Sequence, residues 1–408
     1  MAQDVTTSDK ASWYLLGPAF VAAIAYVDPG NVAANVSSGT QFGYLLLWVI
    51  VVANVMAGLV QYLSAKLGLV TGRSLPESIG DRMGRPARLV YWAQAEIVAM
   101  STDVAEVIGG AIALRILFGL PLPLGGLITG VISLLLLMVK DRRGQRLFEV
   151  VITGLLLIIA LGFTASFFVA TPPAGEVVSG LLPRFHGTES VLLAAAILGA
   201  TVMPHAVYLH SGLARDRHGQ PAPGPDRRRL LRITRVDVGI AMVIAGGVNA
   251  AMLLVAAFNM RGHGDVGSID AAYVAVRDTL GPTIAVLFAV GLLTSGLASS
   301  SVGAYAGAMI MQGLLHKSVP MALRRLVTVC PAIALLALDV DPTRALVISQ
   351  VVLSFGIPFA VLPLVRLTGN RELMGADANH RLTTAIGWVV AVMISVLNVA
   401  LIYLTVTG

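Results

Sequence analysis

The sequence consists largely of apolar stretches of about 20 residues, the length that a helix needs to cross the hydrocarbon core of a bilayer. About eleven such stretches follow one another along the 408 residues. The predicted spans are 13–38, 43–69, 88–115, 122–140, 147–170, 189–213, 235–260, 283–315, 320–339, 344–367 and 382–406. Residues 151–169 are apolar almost all round, whereas strands of a membrane β-barrel alternate apolar and polar residues, so the stretches predict helices.

Charged residues make up only 12% of the chain, whereas a soluble domain is typically about a quarter charged. The mean hydropathy, +0.83, is correspondingly high. A chain with so few charges cannot cover a water-facing surface, so lipid is its expected solvent. The predicted fold class is therefore an all-α membrane protein, with short loops between the spans and a single transmembrane domain over residues 1–408.

Lysine and arginine are distributed unequally between the loops on the two sides of the predicted membrane. With the N-terminus in the cytoplasm, 23 of the 28 lie at cytoplasmic flanks and 5 at the opposite flanks. This distribution predicts a multi-pass protein of the cell (inner) membrane with its N-terminus inside and its C-terminus outside. It also accounts for a pI near 9.7 without a nucleic-acid partner. Arg227, Arg228 and Arg229, which follow a proline-rich stretch, are interpreted as a topology signal.

In two predicted spans, polar residues flank a proline near mid-depth. Span one contains Asp28-Pro29-Gly30-Asn31, and span six contains Ala200-Thr201-Val202-Met203-Pro204-His205. Proline lacks an amide hydrogen and pushes the preceding residue out of the helical conformation. Pro29 and Pro204 therefore free the carbonyls of Ala25 and Ala200, and both segments are expected to unwind.

Two interpretations of these prolines are open. The first is a pair of ordinary kinks, which prolines commonly cause. The second is a binding site, because unpaired backbone at that depth survives only beside a cavity, water or an ion, and polar residues crowd both points. The position of the breaks favours the second, since spans one and six begin two five-span halves, and interrupted helices at corresponding places mark transporter sites.

The groups at the two breaks suit a divalent cation. They are the Asp28 carboxylate, the Asn31 amide oxygen and the carbonyls of Ala25 and Ala200. Oxygen ligands alone would suit Mg²⁺ or Ca²⁺ equally well. The soft thioether of Met203 instead favours a transition metal, unless it only fills the core, as methionines often do.

Span three carries three carboxylates on one helical face, namely Glu96, Asp103 and Glu106. Acids inside a membrane are costly and are usually paired or functional. With Arg324 and Arg325 of span nine they form either a structural salt-bridge cluster or a proton relay centred on Asp103, the deepest acid. His205 is similarly open, since an imidazole can sense protons or simply pack through a hydrogen bond.

Gln350 in span ten is an uncharged polar residue at depth, and most such residues hold helices together. It precedes Gly356-Ile357-Pro358, an expected flexible point, so it is also a candidate to approach the ion in one conformation.

The chain is not expected to be an enzyme, because the motifs H-E-x-x-H, Walker A and G-x-S-x-G are absent from the sequence. A channel, a metal sensor and a sodium-coupled carrier of small solutes stay open as alternatives to a metal carrier. Channels usually build their filters from rings of repeated subunits, and this chain instead has two broken helices of its own.

The motifs Asp-Pro-Gly-Asn at 28–31 and Met-Pro-His at 203–205, with the order of the spans, make the chain resemble the Nramp family of divalent-metal transporters, in particular its bacterial proton-dependent manganese branch. The resemblance implies a LeuT-type inverted repeat, here about 13–170 and 189–367, with an extra helix at about 382–406. It implies that the metal ligands are Asp28, Asn31, Met203 and the carbonyls of Ala25 and Ala200. It also implies that a proton exit route contains Asp103, Glu106, Arg324 and Arg325.

The combined expectation is a secondary transporter that imports Mn²⁺ or Fe²⁺, and also Cd²⁺ and Co²⁺, by alternating access with protons moving alongside. The metal is the transported substrate, and no cofactor is expected. The expected partners are divalent ions, protons and the bilayer, and the expected oligomeric state is a monomer. Gln350 completes the predicted metal site, and Asp28, Glu96 and His205 complete the predicted proton pathway.

Overall fold

The structure is a computed structural model that describes residues 17–143, 145–169, 172–259 and 268–407. Within these ranges the regular elements are all helices, and no strand occurs. The predicted all-α class is therefore confirmed. The start of the first predicted span, at residue 13, lies outside the described residues.

The helices of the first half are α1 (Pro18–Ile24), α2 (Pro29–Phe42), α3 (Leu47–Thr71), α4 (Leu75–Gly80), α5 (Arg85–Phe118), α6 (Leu122–Arg143), α7 (Gln145–Val169) and α8 (Ala174–Ser179). Those of the second half are α9 (Gly187–Thr201), α10 (Pro204–His218), α11 (Pro225–Asn259), α12 (Ile269–Leu280), α13 (Pro282–Leu315), α14 (Met321–Ala337), α15 (Pro342–Gly369), α16 (Arg371–Met374) and α17 (Arg381–Thr407). Two short 3-10 helices are Ala25–Val27 and Gly375–Asp377.

Eight described segments are long and apolar enough to cross a membrane, with α9 and α10 taken together as one. They are α3, α5, α7, α9–α10, α11, α13, α15 and α17. The other three predicted spans correspond to the interrupted pair α1 and α2, to α6, and to α14. The first two contain the shorter apolar segments Pro18–Val27 and Leu122–Met138, and α14 has only 17 residues.

Proline and glycine mark many of the helix ends. The prolines at the first or second position of a helix are Pro18, Pro29, Pro76, Pro86, Pro204, Pro282 and Pro342. Their missing amide hydrogen costs nothing there, because the first turn has no carbonyl to pair with it. Gly72 and Gly119 end α3 and α5 with φ of +67° and +70°, a left-handed conformation that favours glycine.

The connections differ from the expected short loops, because several contain helices of their own. The 12-residue α12 lies between the seventh and eighth spans and buries Ile269, Ala272 and Val276 along one face. Its apolar run, residues 271–276, is much shorter than a membrane-crossing stretch, so the search for spans did not detect it. Helix α11 begins at Pro225 rather than at residue 235, because hydropathy marks only the apolar part of a longer helix.

Helices α5 and α13 pack along each other, and both lie close to the interrupted pair α1 and α2. The approach of α5 is very tight at Gly109. A Cβ added to this glycine would lie 2.0 Å from the Cβ of Pro29, so only glycine lets α5 pass directly behind the first break.

Candidate metal site

The first break has the geometry that the sequence Asp28-Pro29 dictates. Helix α1 ends at Ile24, a 3-10 turn follows, and Asp28 is extended, with φ −81° and ψ 169°. Helix α2 then begins at Pro29, and the Asp28 side chain caps it by accepting a hydrogen bond from the Asn31 amide. The residue before the proline has left the helical region, as the clash with the proline ring requires.

The second break repeats this arrangement in the other half of the chain. Helix α9 ends at Thr201, and Met203 is extended, with φ −60° and ψ 120°, before α10 begins at Pro204. Both segments are therefore interrupted helices and not continuous kinked ones.

Proline alone does not produce such breaks, because α15 continues through Pro358 and Pro363. The flexible point expected at Gly356-Ile357-Pro358 is thus not a break. The carbonyls that these two prolines free are those of Ser354 and Phe359. They accept hydrogen bonds from Asn398 Nδ2, at 2.8 Å, and from the Tyr91 hydroxyl.

The two interrupted helices meet at Asn31. Its Nδ2 donates to Asp28 Oδ1 and to the Ala200 carbonyl, each at 2.9 Å. The Ala200 carbonyl is the one that Pro204 frees, so a side chain of the first break pairs with the backbone of the second. The structure therefore brings Asp28, Asn31 and Ala200 together, across 169 residues of sequence.

Three oxygens around this junction lack hydrogen-bond partners among the described residues. They are Asp28 Oδ2, Asn31 Oδ1 and Gln350 Oε1. Their residues are at most 1% exposed. A buried unpaired acceptor is destabilising by about 1–3 kcal/mol, more when charged, so such a cluster is expected where a ligand binds.

Gln350 reaches the site through a gap left by glycine. A Cβ added to Gly30, between Asp28 and Asn31, would lie 1.9 Å from Gln350 Nε2. Sequence reasoning placed Gln350 here only in one conformation, whereas its amide already lies against Gly30 in this structure.

Ala25 and Met203 lie at the ends of the two breaks. Ala25 caps α1 where the backbone changes to the 3-10 turn, and Met203 is fully buried at the residue that precedes α10. The predicted donors comprise one carboxylate, amide and backbone oxygens, and a thioether. Among the described residues, no group of three or more His, Cys, Asp and Glu side chains could hold a metal. An ion held by a single formal charge is bound less tightly than one held by several, which suits an ion that must be released.

Two polar side chains pair with the backbone that the first break exposes. Asn249 Nδ2 donates to the Tyr26 carbonyl at 2.8 Å, and Ser295 Oγ donates to the Val27 carbonyl at 2.5 Å. Asn249 is one of the uncharged polar residues at depth, most of which hold helices together, whereas sequence reasoning overlooked Ser295. The detectable signal for Ser295 was the serine-rich stretch of α13, in the middle of an apolar span.

The carboxylates of α5 form a polar track that starts beside the site. Glu106 is fully buried, neither of its oxygens has a hydrogen-bond partner among the described residues, and it interacts electrostatically with Asp103 and Asp28. The next acid, Asp103, accepts from Arg325 Nη1 at 2.6 Å. Glu96, about 15 Å from Glu106 along the helix, accepts from Arg324 Nη2 at 2.7 Å.

Other polar side chains border this track. Arg325 Nη2 also donates to the hydroxyls of Ser133 and Ser300, which the sequence did not single out. His205 Nδ1 lies 3.2 Å from the Thr102 hydroxyl, and its Nε2 has no partner among the described residues. One ring nitrogen of His205 is thus positioned by a hydrogen bond while the other is unpaired.

An acidic residue that sequence reasoning overlooked holds the start of α1. The Asp237 carboxylate accepts from the amides of Gly17, at 3.3 Å, and Ala19, at 3.1 Å. A carboxylate at a helix N-terminus satisfies amides that have no partner within the helix. The detectable signal was an acid just inside predicted span seven.

Comparisons with known proteins agree with this geometry. The family described as "Natural resistance-associated macrophage protein-like" (Nramp) matches residues 19–404. The divalent metal cation transporter MntH of Mycobacterium tuberculosis (strain H37Rv) is 81% identical over 408 residues, which cover 100% of this chain and 95% of that protein.

Solved structures agree as well. The crystal structure of the Eremococcus coleocola manganese transporter in complex with an aromatic bis-isothiourea substituted compound has a TM-score of 0.85 at 30% identity, and the match covers 98% of this chain and 87% of that one. MhsT in complex with L-phenylalanine has a TM-score of 0.62 at 13% identity, covers 95% of this chain and 97% of that one, and shares the LeuT-type fold. The family match across nearly the whole chain, together with so similar a relative, shows that the protein belongs to the Nramp family.

Proposed function

We propose that the protein is a secondary transporter that imports divalent transition-metal ions, chiefly Mn²⁺ and Fe²⁺ and also Cd²⁺ and Co²⁺. The observation that carries this proposal is the junction of two interrupted helices, where Asn31 pairs with the freed Ala200 carbonyl and Asp28, Asn31 and Gln350 each keep a buried oxygen without a partner among the described residues. The printed names of the relatives, a divalent metal cation transporter and a manganese transporter, support it. Transport without chemical conversion also agrees with the prediction that the chain is not an enzyme.

Met203 supplies the preference for transition metals. Its thioether is the one soft donor in the proposed set, and it gains little from Mg²⁺ or Ca²⁺. The neutral oxygens and the Asp28 carboxylate bind any divalent ion, so discrimination rests on this side chain. We propose no resident cofactor, because the metal is the substrate, and we propose a monomer as the transporting unit.

Alternating access moves the ion past the breaks. The excess of lysine and arginine in the loops on one side of the predicted membrane supports a cytoplasmic N-terminus and an external C-terminus in the cell membrane. In that orientation Asp28 meets the ion from outside, and movement of α1 releases it to the cytoplasm. A divalent ion that moves inward gains about 4.6 kcal/mol per 100 mV of membrane potential, so metal uptake does not require a fixed number of protons.

Protons move separately, along the polar track of α5. Buried carboxyl oxygens without donors are most stable when the group carries a proton, and Glu106 is such a group beside Asp28. In the proposed sequence Glu106 gives its own proton to Asp103 and takes up the proton that the metal displaces from Asp28. Arg325, Arg324, Glu96 and His205 line the route onward.

Uptake by the purified protein in liposomes tests the proposed function. The wild type should accumulate Mn²⁺ and Fe²⁺ under an inside-negative potential, and Asp28→Ala should abolish accumulation while expression is unchanged. External Mn²⁺ should also accelerate the efflux of preloaded Mn²⁺, which a carrier shows and a channel does not. Robust Mn²⁺ uptake by Asp28→Ala would refute the site, and the absence of exchange would refute the carrier.

A further inference from the structure

Helix α11 is much longer than the membrane is thick. Its 35 residues extend about 52 Å, whereas the hydrocarbon core measures about 30 Å. The first apolar residues of its predicted span begin near residue 236, so the segment before them projects into the headgroup region and beyond. This projecting turn is rich in arginine.

Three of these arginines share one face with the lipid-exposed part of the same helix. Arg228, Arg232 and Arg235 are spaced i, i+4 and i+7, and all three are exposed. The same face continues through Gly239 and Val243, and Val243 is 73% exposed, as a lipid-facing residue should be. The arginine stripe therefore lies directly above a surface that contacts acyl chains.

The positive charges of the stripe are not neutralised by protein. Among the described residues, no carboxylate pairs with Arg228, Arg232 or Arg235. Within the described part of the chain, the hydrogen-bond partner of Arg235 is the uncharged Tyr62: the guanidinium is 4.9 Å from the ring centroid and donates to the hydroxyl at 3.3 Å. Another cation, Lys66, is near enough to interact electrostatically with Arg235. A tyrosine commonly marks the depth of the headgroups.

The neighbouring Arg227, in contrast to the stripe, has a structural role. It is buried, pairs with Asp377 at 3.1 Å and donates to the Pro221 carbonyl. It thus joins α11 to the connection before α17. The three arginines of the stripe are instead exposed and have no such role.

We propose that the stripe of Arg228, Arg232 and Arg235 binds the phosphate of an anionic phospholipid headgroup. Guanidinium groups form strong, directional hydrogen bonds with phosphate, and basic clusters beside a membrane helix attract acidic lipids. Below the stripe, Gly239 and Gly247 are exposed, and a Cβ at either would meet nothing within 4 Å. These glycines lie one turn on either side of the exposed Val243, and together they form the glycine track, a pair of shallow gaps against which one acyl chain of the bound lipid packs.

Native mass spectrometry of the full chain in mild detergent tests the proposal. The probes are phosphatidylglycerol and phosphatidylcholine with identical acyl chains. The wild type should bind phosphatidylglycerol preferentially, and the triple variant R228Q/R232Q/R235Q should lose about fivefold in affinity per arginine removed. Replacing the same residues with lysine should restore part of the binding, because the charge returns without the planar guanidinium.

A matched control removes the same charge elsewhere. R366Q/R371Q/R381Q neutralises three other exposed arginines and should retain the wild-type preference. Millimolar inorganic phosphate should not compete, because it lacks the acyl chain that the glycine track holds. Equal binding of both lipids by the wild type, equal losses in the two triple variants, or full competition by phosphate would each overturn the proposal. If R228Q/R232Q/R235Q does not fold, the single variants Arg232→Gln and Arg366→Gln provide the same comparison.

Discussion

The two oxygens of the Asp28 carboxylate have different surroundings. Oδ1 accepts hydrogen bonds from the Asn31 amide, at 2.7 Å, and from Asn31 Nδ2, at 2.9 Å. Oδ2 has no partner among the described residues. One oxygen thus caps α2 while the other is available to an ion, so the proposed ligand keeps its structural role when the metal binds.

This division predicts different effects for two substitutions of Asp28. Asp28→Asn should keep the cap, since asparagine is among the best N-cap residues, but should lower Mn²⁺ affinity about 100-fold or more by removing the formal charge. Asp28→Ala should lose both functions and also destabilise the fold by about 1 kcal/mol. Calorimetric Mn²⁺ binding and thermal unfolding measure the two effects separately. Wild-type affinity in Asp28→Asn would contradict the role of the charge.

Met203→Ala should relax selectivity without eliminating transport. The oxygen donors stay in place, but the soft contact to Mn²⁺ or Cd²⁺ is lost, which is worth about 1–3 kcal/mol, or roughly tenfold to a hundredfold in preference. Cd²⁺, the softest ion, should lose most affinity. The measurement is Mn²⁺ uptake against a large excess of Ca²⁺ or Mg²⁺. If the variant resists that excess as well as the wild type does, Met203 only fills space.

Among the helices, a freed carbonyl can have a remote asparagine as its partner whether or not the proline breaks the helix. In α15 the carbonyl freed by Pro358 is taken by Asn398, and the helix continues. At Pro204 the carbonyl of Ala200 is taken by Asn31, on another interrupted helix, and the backbone leaves the helical conformation. The sequence reveals each proline and the carbonyl it frees, but the partner lies 44 or 169 residues away.

Gly109→Ala should disturb the first break, because Gly109 of α5 packs against Pro29. Alanine normally favours a helix over glycine by about 1 kcal/mol. At Gly109, however, the new methyl group would overlap Pro29, so α5 or the break must shift. We expect a lower midpoint of thermal unfolding and Mn²⁺ uptake reduced about tenfold or more.

Gly154→Ala is the matched control, because this glycine of α7 is exposed and an added Cβ would meet nothing within 4 Å. It should leave both stability and uptake close to wild type. Normal uptake by Gly109→Ala would show that the break tolerates displacement.

At the scale of the whole molecule, the polar track of α5 extends from the junction to the Arg324–Glu96 pair. Asp103→Asn should slow proton movement about tenfold or more while Mn²⁺ binding changes little, because Asp103 is separated from the proposed ligands by Glu106. The measurement is internal pH and Mn²⁺ uptake in the same liposomes.

Removing one partner of the buried pair Asp103–Arg325 also leaves an unpaired charge, which can destabilise by about 3–5 kcal/mol. The double variant D103N/R325Q removes both charges and should recover stability without recovering proton movement. Proton flux that returns together with stability would assign the pair a purely structural role.

The sequence predicted the positions of most spans, both interrupted helices and the acids of α5, because apolar length, proline and charge at depth are local signals. It could not predict which side chains hydrogen-bond to the backbone of a helix that is distant in sequence. Ser295 and Asn249 pair with the backbone of the first break, and Asp237 holds the start of α1, yet each is an ordinary polar residue in its own span. The division into two repeats, at about 13–170 and 189–367, stays a prediction.

Helix α1 has only seven residues, Pro18–Ile24. Isolated helices shorter than about 12–15 residues are marginal in water, so the order of α1 depends on its neighbours, including the Asp237 carboxylate at its first amides. Any motion that separates α1 from Asp237 is therefore also a local unfolding event. Amide hydrogens of α1 should exchange with solvent faster than those of α2, and Asp237→Asn should accelerate exchange in α1 selectively. If α1 separates from Asp237 when the proposed exit opens, we therefore expect α1 to lose helical order during that movement and not to move as a rigid helix.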